Sequence, residues 1–212
     1  MRNHLLHIDS SLRTASSRSR ILSARFAEAW REANPGGTVT YRDLAADPLP
    51  HLDEIAFAAN VTPEEDRTPE QRAARALTDA VVGEVLAAGT IVVGMPLYNF
   101  GPPSTLKAWV DRLVVPGVTI GPEGGTLGGR RVVFATSRGG GYGPGTPREG
   151  WDHGEPWLRH ALSTIGLDGD LEFVTAELTL ARESPAMIPL DLGAAEDRSM
   201  EQALSAIARL AA

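Results

Sequence analysis

Three segments of this chain hold residues whose types and spacing suit ligand chemistry. In Met95-Pro96-Leu97-Tyr98-Asn99-Phe100, two aromatic rings flank an amide that can both donate and accept hydrogen bonds. Pro96 restricts Met95 to extended backbone, and Pro102-Pro103 end the loop. In Ser137-Arg138-Gly139-Gly140-Gly141 the glycines permit positive φ and a close approach of backbone to a ligand. A tight flexible turn is the plainer use of such a run. The third segment, Asp9 to Ser19, has no glycine and combines hydroxyls, among them Ser11, Ser17 and Ser19, with Arg13 and Arg18. It leads into a helix, whose N-terminal N–H groups and dipole favour one compact dianion such as a terminal phosphate. The same serines would also serve as ordinary helix caps. A dinucleotide fingerprint needs its glycines and a phosphate-binding P-loop its Gly-Lys-Ser/Thr; neither pattern occurs in the chain.

The elements around these segments explain why they would meet. Thr90-Ile91-Val92-Val93-Gly94 precedes the aromatic loop, and Val132-Val133-Phe134-Ala135 precedes the glycine loop. Such β-branched apolar runs read as parallel strands buried on both faces. His4 to Ile8, Thr38 to Arg42 and Leu171 to Thr175 complete five strands. Helical periodicity covers Ser17–Glu32, Thr68–Ala88, Pro103–Leu113, Glu155–Ile165 and Ala194–Ala211. Thr68-Pro69-Glu70-Gln71 carries a helix-start signature, and Asn34-Pro35-Gly36-Gly37 a helix stop. Asp43 to Pro69 reads as a long proline-interrupted connection, and Gly117 to Gly129 as a glycine-rich excursion. Strand and helix alternate throughout, which implies a parallel sheet with helices on both faces. With no linker-like break and no repeat, residues 1–212 read as one domain. In open sheets of this kind the ligand crevice lies outside the carboxyl ends of the strands, where all three segments fall.

Composition narrows the function classes. Of the 212 residues, 42% are hydrophobic and 22% charged, enough apolar material for a sizeable core. A net charge of −7 argues against general affinity for nucleic acid or anionic membrane. The absence of cysteine removes disulfides, thiolate nucleophiles and cysteine-based metal sites. No stretch approaches the length of a membrane-spanning helix, so neither membrane insertion nor a secretory leader is expected, and the cytoplasm is the expected compartment.

The three segments together resemble the FMN-dependent NADH azoreductases and NAD(P)H:quinone oxidoreductases, flavodoxin-like flavoenzymes. Met95 to Phe100 matches that family's ring-binding loop, and Ser137-Arg138-Gly139-Gly140 its second ring-contacting loop. Ser11 and Ser17-Arg18-Ser19 fall where the family binds the FMN phosphate. Arg42-Asp43-Leu44-Ala45 and Leu162-Ser163-Thr164-Ile165-Gly166 extend the likeness over nearly the whole chain, while Gly117–Gly129 and Gly141–Pro156 depart from it. The resemblance implies a flavodoxin-like three-layer sandwich with a five-stranded parallel sheet in the order 2-1-3-4-5. It also implies an FMN enzyme that takes electrons from NADH and passes them to a quinone or azo compound by ping-pong exchange, working as a homodimer whose partner chain completes each crevice. Backbone N–H groups around Asn99 and Gly139–Gly140 are candidate donors to the ring's polar edge, with Tyr98 and Phe100 as contact surface. No side chain is assigned as a general acid, and no metal is expected.

A flavodoxin-type electron carrier without turnover of its own is the alternative. A phospho-acceptor receiver is excluded because the third strand ends in Met95-Pro96 rather than an aspartate. His153 beside Asp152 suggests an acid–base pair but reads more simply as a surface residue. His4 and His7, three apart on a strand, point to opposite faces and make poor joint metal ligands. Glu64-Glu65-Asp66 reads as solvated loop, and Lys107, the only lysine, as a solvent-facing helix residue.

Overall fold

The computed structural model describes residues 3–211. Strand β1 (His4–Asp9) leads through α1 (Arg18–Ala33) to β2 (Thr38–Asp43), followed by α2 (Glu54–Val61), α3 (Pro69–Ala87) and β3 (Thr90–Pro96). Helix α4 (Ser104–Leu113), the two-residue strands β4 (Ile120–Gly121) and β5 (Gly124–Gly125), and β6 (Arg131–Ser137) come next. The chain closes with α5 (Gly154–Thr164), β7 (Asp170–Ala176) and α6 (Gly193–Ala211).

Five strands form one parallel sheet in the order β2-β1-β3-β6-β7. Leaving out the small β4–β5 hairpin, this is the expected 2-1-3-4-5. The alternation of side chains along each strand divides the core in two. Ile91, Val93 and Met95 of β3 pack with α3, α4 and α5, while Val92 packs with α1 and α6 on the opposite face. The register aligns Ile8, Val93, Phe134 and Phe173 across four strands, and the last two rings stack 5.0 Å apart.

Two features fix the loops at the carboxyl end. Helix α4 buries Leu106, Trp109, Val110 and Leu113, which anchors the chain directly after Pro102-Pro103. Fully burying side chains of this kind contributes about 1.5–3 kcal/mol each. Where β3 passes under α1 beside Asp9 of β1, a Cβ on Gly94 would meet Asp9 Oδ1 at 2.2 Å, so only glycine fits there.

Within the expected connection from Asp43 to Pro69, Glu54–Val61 is helical. Asp53 caps it, its carboxylate accepting from the Ala56 amide at 2.8 Å. The Gly117–Gly129 excursion contains the β4–β5 hairpin. The helix start expected at Thr68 is present, and Thr68 caps α3 in a capping box, with Thr68 and Gln71 exchanging side-chain and backbone hydrogen bonds.

Candidate functional site

Strand β1 turns outward to β2 on one side, while β3 leads away to β6 and β7 on the other. That reversal opens a crevice at the carboxyl ends of β1 and β3, the place where such sheets bind ligands. A cleft of about 310 Å³ occupies it, lined by the segments that follow β1, β3 and β6 and by Thr179 and Leu180 after β7.

At one end Ser17 caps α1: its Oγ accepts from the Arg20 amide at 3.4 Å and lies 3.1 Å from Ser19 Oγ. The first N–H groups of a helix have no partner within it, so this end offers amides and buried hydroxyls together. Arg13 and Arg18 also line the cleft, paired with Glu183 at 2.6 Å and Glu196 at 3.1 Å. Glu196 is buried and paired a second time, with Arg182 at 2.8 Å.

The loop is braced from below. Arg20 donates to the Ser11 carbonyl at 2.8 Å and grips both oxygens of Asp43 at 2.7 and 2.8 Å. Asp9 accepts from Ser23 at 2.7 Å and from Tyr41 at 3.0 Å, with His7 Nε2 at 3.6 Å. Burial raises the Asp9 carboxyl pKa, and burial followed by the Asp9 charge pushes the Tyr41 hydroxyl up to about 12. Burial, with the Arg31 and Arg20 charges behind it, lowers His7 to about 4, so the imidazole is neutral near pH 7.

At the other end Asn99 and Phe100 both have left-handed backbone, φ 48° and 69°. Tyr98 and Gly101 exchange hydrogen bonds of 2.9 and 3.0 Å around them, closing a tight two-residue turn. Asparagine tolerates this region, whereas a bulky residue there is an outlier that surrounding structure must impose. Here the Phe100 carbonyl accepts from the His153 amide at 2.9 Å, and its ring meets Trp151 edge-on at 5.3 Å.

The glycine loop lies alongside, tied to the aromatic loop by the Leu97 amide donating to Ser137 O at 2.8 Å. Its carbonyls at Arg138, Gly139 and Gly140 accept from the amides of Thr179, Leu180 and Leu178. Among the described residues the N–H groups of Asn99, Phe100, Gly139 and Gly140 make no hydrogen bond within the chain. Tyr98 joins the two ends: its hydroxyl accepts from the Leu12 amide at 3.1 Å and lies 3.2 Å from Ser11 Oγ.

The cleft thus brings together Ser11, Ser17, Arg18, Pro96, Leu97, Tyr98, Asn99, Phe100, Ser137 and Gly139 of the residues singled out from sequence. Ser19 lies buried behind Ser17, and Gly140 lies against Arg148. The Met95 side chain belongs to the core under α4. Arg138 projects to the outer side of the glycine loop, paired with Asp152, with Glu177 at 3.1 Å and with Glu155 at 3.4 Å. Sequence reasoning did not single out Ser16, Arg148, Thr179 and Leu180 as lining residues. Ser16 was open to inference from its place in the serine loop; the others reach the cleft only through the tertiary path of their segments. Asp152 caps α5, accepting from the Gly154 amide at 2.7 Å, and forms no pair with the exposed His153. Lys107 pairs with Asp111 one turn along α4.

The donor set fits a flavin mononucleotide. Hydroxyls, helix N–H groups and two guanidinium groups at one end match a terminal phosphate, and unpaired amides beside an aromatic and a glycine loop match a flat ring with a polar edge.

Residues 3–198 match the family model described as flavodoxin-like fold. A curated protein of Frankia casuarinae, "FMN-dependent NADH:quinone oxidoreductase", is 47% identical over 186 residues, 87% of this chain and 88% of its own length. One of the same name from Kineococcus radiotolerans is 46% identical over 211 residues, 97% of this chain and 98% of its own. A crystal structure of azoreductase from Bacillus anthracis superposes with a TM-score of 0.81 at 25% identity, covering 98% of each chain.

Proposed function

The chain belongs to the flavodoxin-like fold family, and from that premise we propose that it is an FMN-dependent NADH oxidoreductase reducing quinones and aromatic azo compounds. The observation that carries the reading is the cleft itself, with phosphate chemistry at Ser17–Arg18 and four unpaired amides beside Tyr98 and Phe100. No support remains for a carrier without turnover, since the relatives above are named as oxidoreductases.

Ser11, Ser17, Arg18 and Ser19 would hold the FMN phosphate, with Arg13 beside them. Pro96 to Phe100, Ser137, Gly139 and Gly140 would hold the ring, while Met95 and Arg138 support these loops from behind. Bound FMN supplies the two-electron chemistry that connects NADH to an acceptor. The unpaired amides of Asn99, Phe100 and Gly139 at the cleft, with Gly140 next to them, would serve as donors to the polar edge of a bound flavin, and donors fixed in advance would stabilise negative charge there without reorganising. Tyr98 and Phe100 would contribute contact surface and exclude water from a bound ring, and no side chain is needed as a dedicated general acid. With no dinucleotide fingerprint in the sequence to hold NADH elsewhere, donor and acceptor would occupy this cleft in turn.

The chain works as one FMN-binding domain, in the cytoplasm and as a homodimer. Among the described residues no helix is long and apolar enough to cross a membrane. Ile55, Phe57 and Val61 of α2 expose apolar surface that a second copy would cover. Light scattering that finds a fully active monomer would defeat the dimer.

Steady-state kinetics at several fixed NADH concentrations test the activity. Parallel double-reciprocal lines are expected; intersecting lines, or complete loss of activity in His153→Ala, would overturn the mechanism.

A further inference from the structure

Three guanidinium groups line the cleft, and their surroundings differ. Arg13 and Arg18 are each matched by a carboxylate. Arg148 has no carboxylate partner among the described residues. Its Nη1 donates to Tyr142 Oη at 3.4 Å, and its charge sits 5.7 Å from the Tyr142 ring centre. Tyr142 is itself fixed: its amide donates to Glu177 Oε1 at 3.1 Å, and Arg138 stands 5.9 Å from its ring centre.

The loop carrying Arg148 is tightly made. Thr146 Oγ1 donates to the Gly143 carbonyl at 2.7 Å, the Gly145 amide to Glu149 Oε2 at 2.8 Å, and the Trp151 amide to the Arg148 carbonyl at 3.1 Å. Glu149, the nearest acid in sequence, accepts from the Gly145 amide and forms no ion pair with Arg148. The Arg148 guanidinium rests on the glycine loop, since a Cβ on Gly140 would meet its Nη1 at 3.0 Å. An exposed planar cation with no acid against it thus lines the cleft at the glycine loop. A guanidinium in that setting recognises carboxylate and sulfonate oxygens well, often with two parallel hydrogen bonds.

We propose that Arg148 is a specificity-determining residue that selects electron acceptors carrying an acidic substituent, a carboxylate or sulfonate, on the aromatic ring. The proposal rests on the function given above. It assigns a role to the Gly141–Trp151 segment, which the family resemblance does not cover.

The test compares 1,4-naphthoquinone-2-sulfonate with 1,4-naphthoquinone as acceptors for the FMN-loaded wild-type protein, Arg148→Gln and Arg148→Glu. The expected result is a sulfonate-to-neutral ratio of kcat/KM that falls at least about tenfold in Arg148→Gln, the scale of one charge-assisted hydrogen bond, and further in Arg148→Glu. Arg148→Lys should restore part of it. An unchanged ratio overturns the proposal. So does a loss confined to KM for NADH, which would place a nucleotide phosphate on Arg148. FMN affinity, measured by fluorescence titration without turnover, should agree between wild type and Arg148→Gln within about twofold; a large loss would make the residue a flavin ligand and overturn the proposal equally. If the wild-type protein reduces neither quinone with NADH, the proposed activity itself has failed, an outcome distinct from a changed ratio.

Discussion

At the serine end of the cleft charge is balanced and the backbone relaxed: Arg13 and Arg18 have their carboxylates, and Ser17 caps an ordinary helix start. At the ring end the backbone is strained at Asn99 and Phe100, four amides are unpaired, and Arg148 has no acid against it. The serine end resembles a docking point for a fixed group, made from features that also stabilise the fold. The ring end holds groups that make no bond within the chain and are free to meet a ligand, and it is kept in shape by neighbours rather than by its own propensities. Strain and unpaired donors of this sort gather where chemistry is done.

The largest effect should come from removing the serine end's contribution to binding. Ser17→Ala with Ser19→Ala would cost about 3–6 kcal/mol of FMN affinity, taking ~1.5–3 kcal/mol for each hydrogen bond to a charged group. Loss of the cap would take a further ~1 kcal/mol from fold stability. Calorimetry with FMN, FAD and riboflavin checks this, with FMN expected to bind tightest in the wild type; equal affinity for the three would refute a monophosphate site.

Next is the brace beneath that end. Arg20→Met removes the grip on Asp43 and on the Ser11 carbonyl, and breaking a largely buried ion pair of this kind costs about 3 kcal/mol. Urea unfolding of the apoprotein measures the loss.

His7 should add a pH dependence of comparable size. Its folded-state pKa, about 4, lies below the unfolded 6.5, so the unfolded chain takes the proton first and stability falls as pH drops from about 6.5 toward 4. The full effect is about 3 kcal/mol. Asp9, whose pKa is raised, works in the opposite direction, holding its proton in the fold to higher pH than in the unfolded chain. His7→Phe should therefore flatten the acid side of the stability curve, as read by thermal melts from pH 7 to 4.5.

The ring end should show a smaller stability effect. Asn99→Val puts a β-branched residue into left-handed backbone at a cost of about 1–2 kcal/mol. Its flavin affinity should fall as well, since the turn presents two of the unpaired amides. A variant as stable as wild type would mean that the turn relaxes without penalty, and the contrast between the two ends would lose its basis.

Much of this was legible in the chain. The runs Ile91–Val93 and Val132–Phe134 could be little other than buried strands, and the proline and glycine punctuation after them located the cleft. The helix start at Thr68-Pro69-Glu70-Gln71 is local chemistry and reads directly. Helix α2 was hidden because its eight residues lie between prolines, and its helical stripe is faint in so short a run. Arg138 looked like a ligand residue from its sequence neighbours, but its partners Asp152, Glu155 and Glu177 lie 14–39 positions away and meet it only in the fold. Still greater separations, 170 and 178 positions, concealed the carboxylates that match Arg13 and Arg18, and with them the isolation of Arg148.

The central claim is that one cleft serves donor and acceptor in turn, and anaerobic mixing tests it most directly. With FMN-loaded protein, NADH alone should bleach the flavin's visible absorbance, one equivalent per chain, and 1,4-benzoquinone added afterwards should restore it. If no bleaching occurs until the quinone is also present, both substrates must bind together, and the one-cleft account is contradicted.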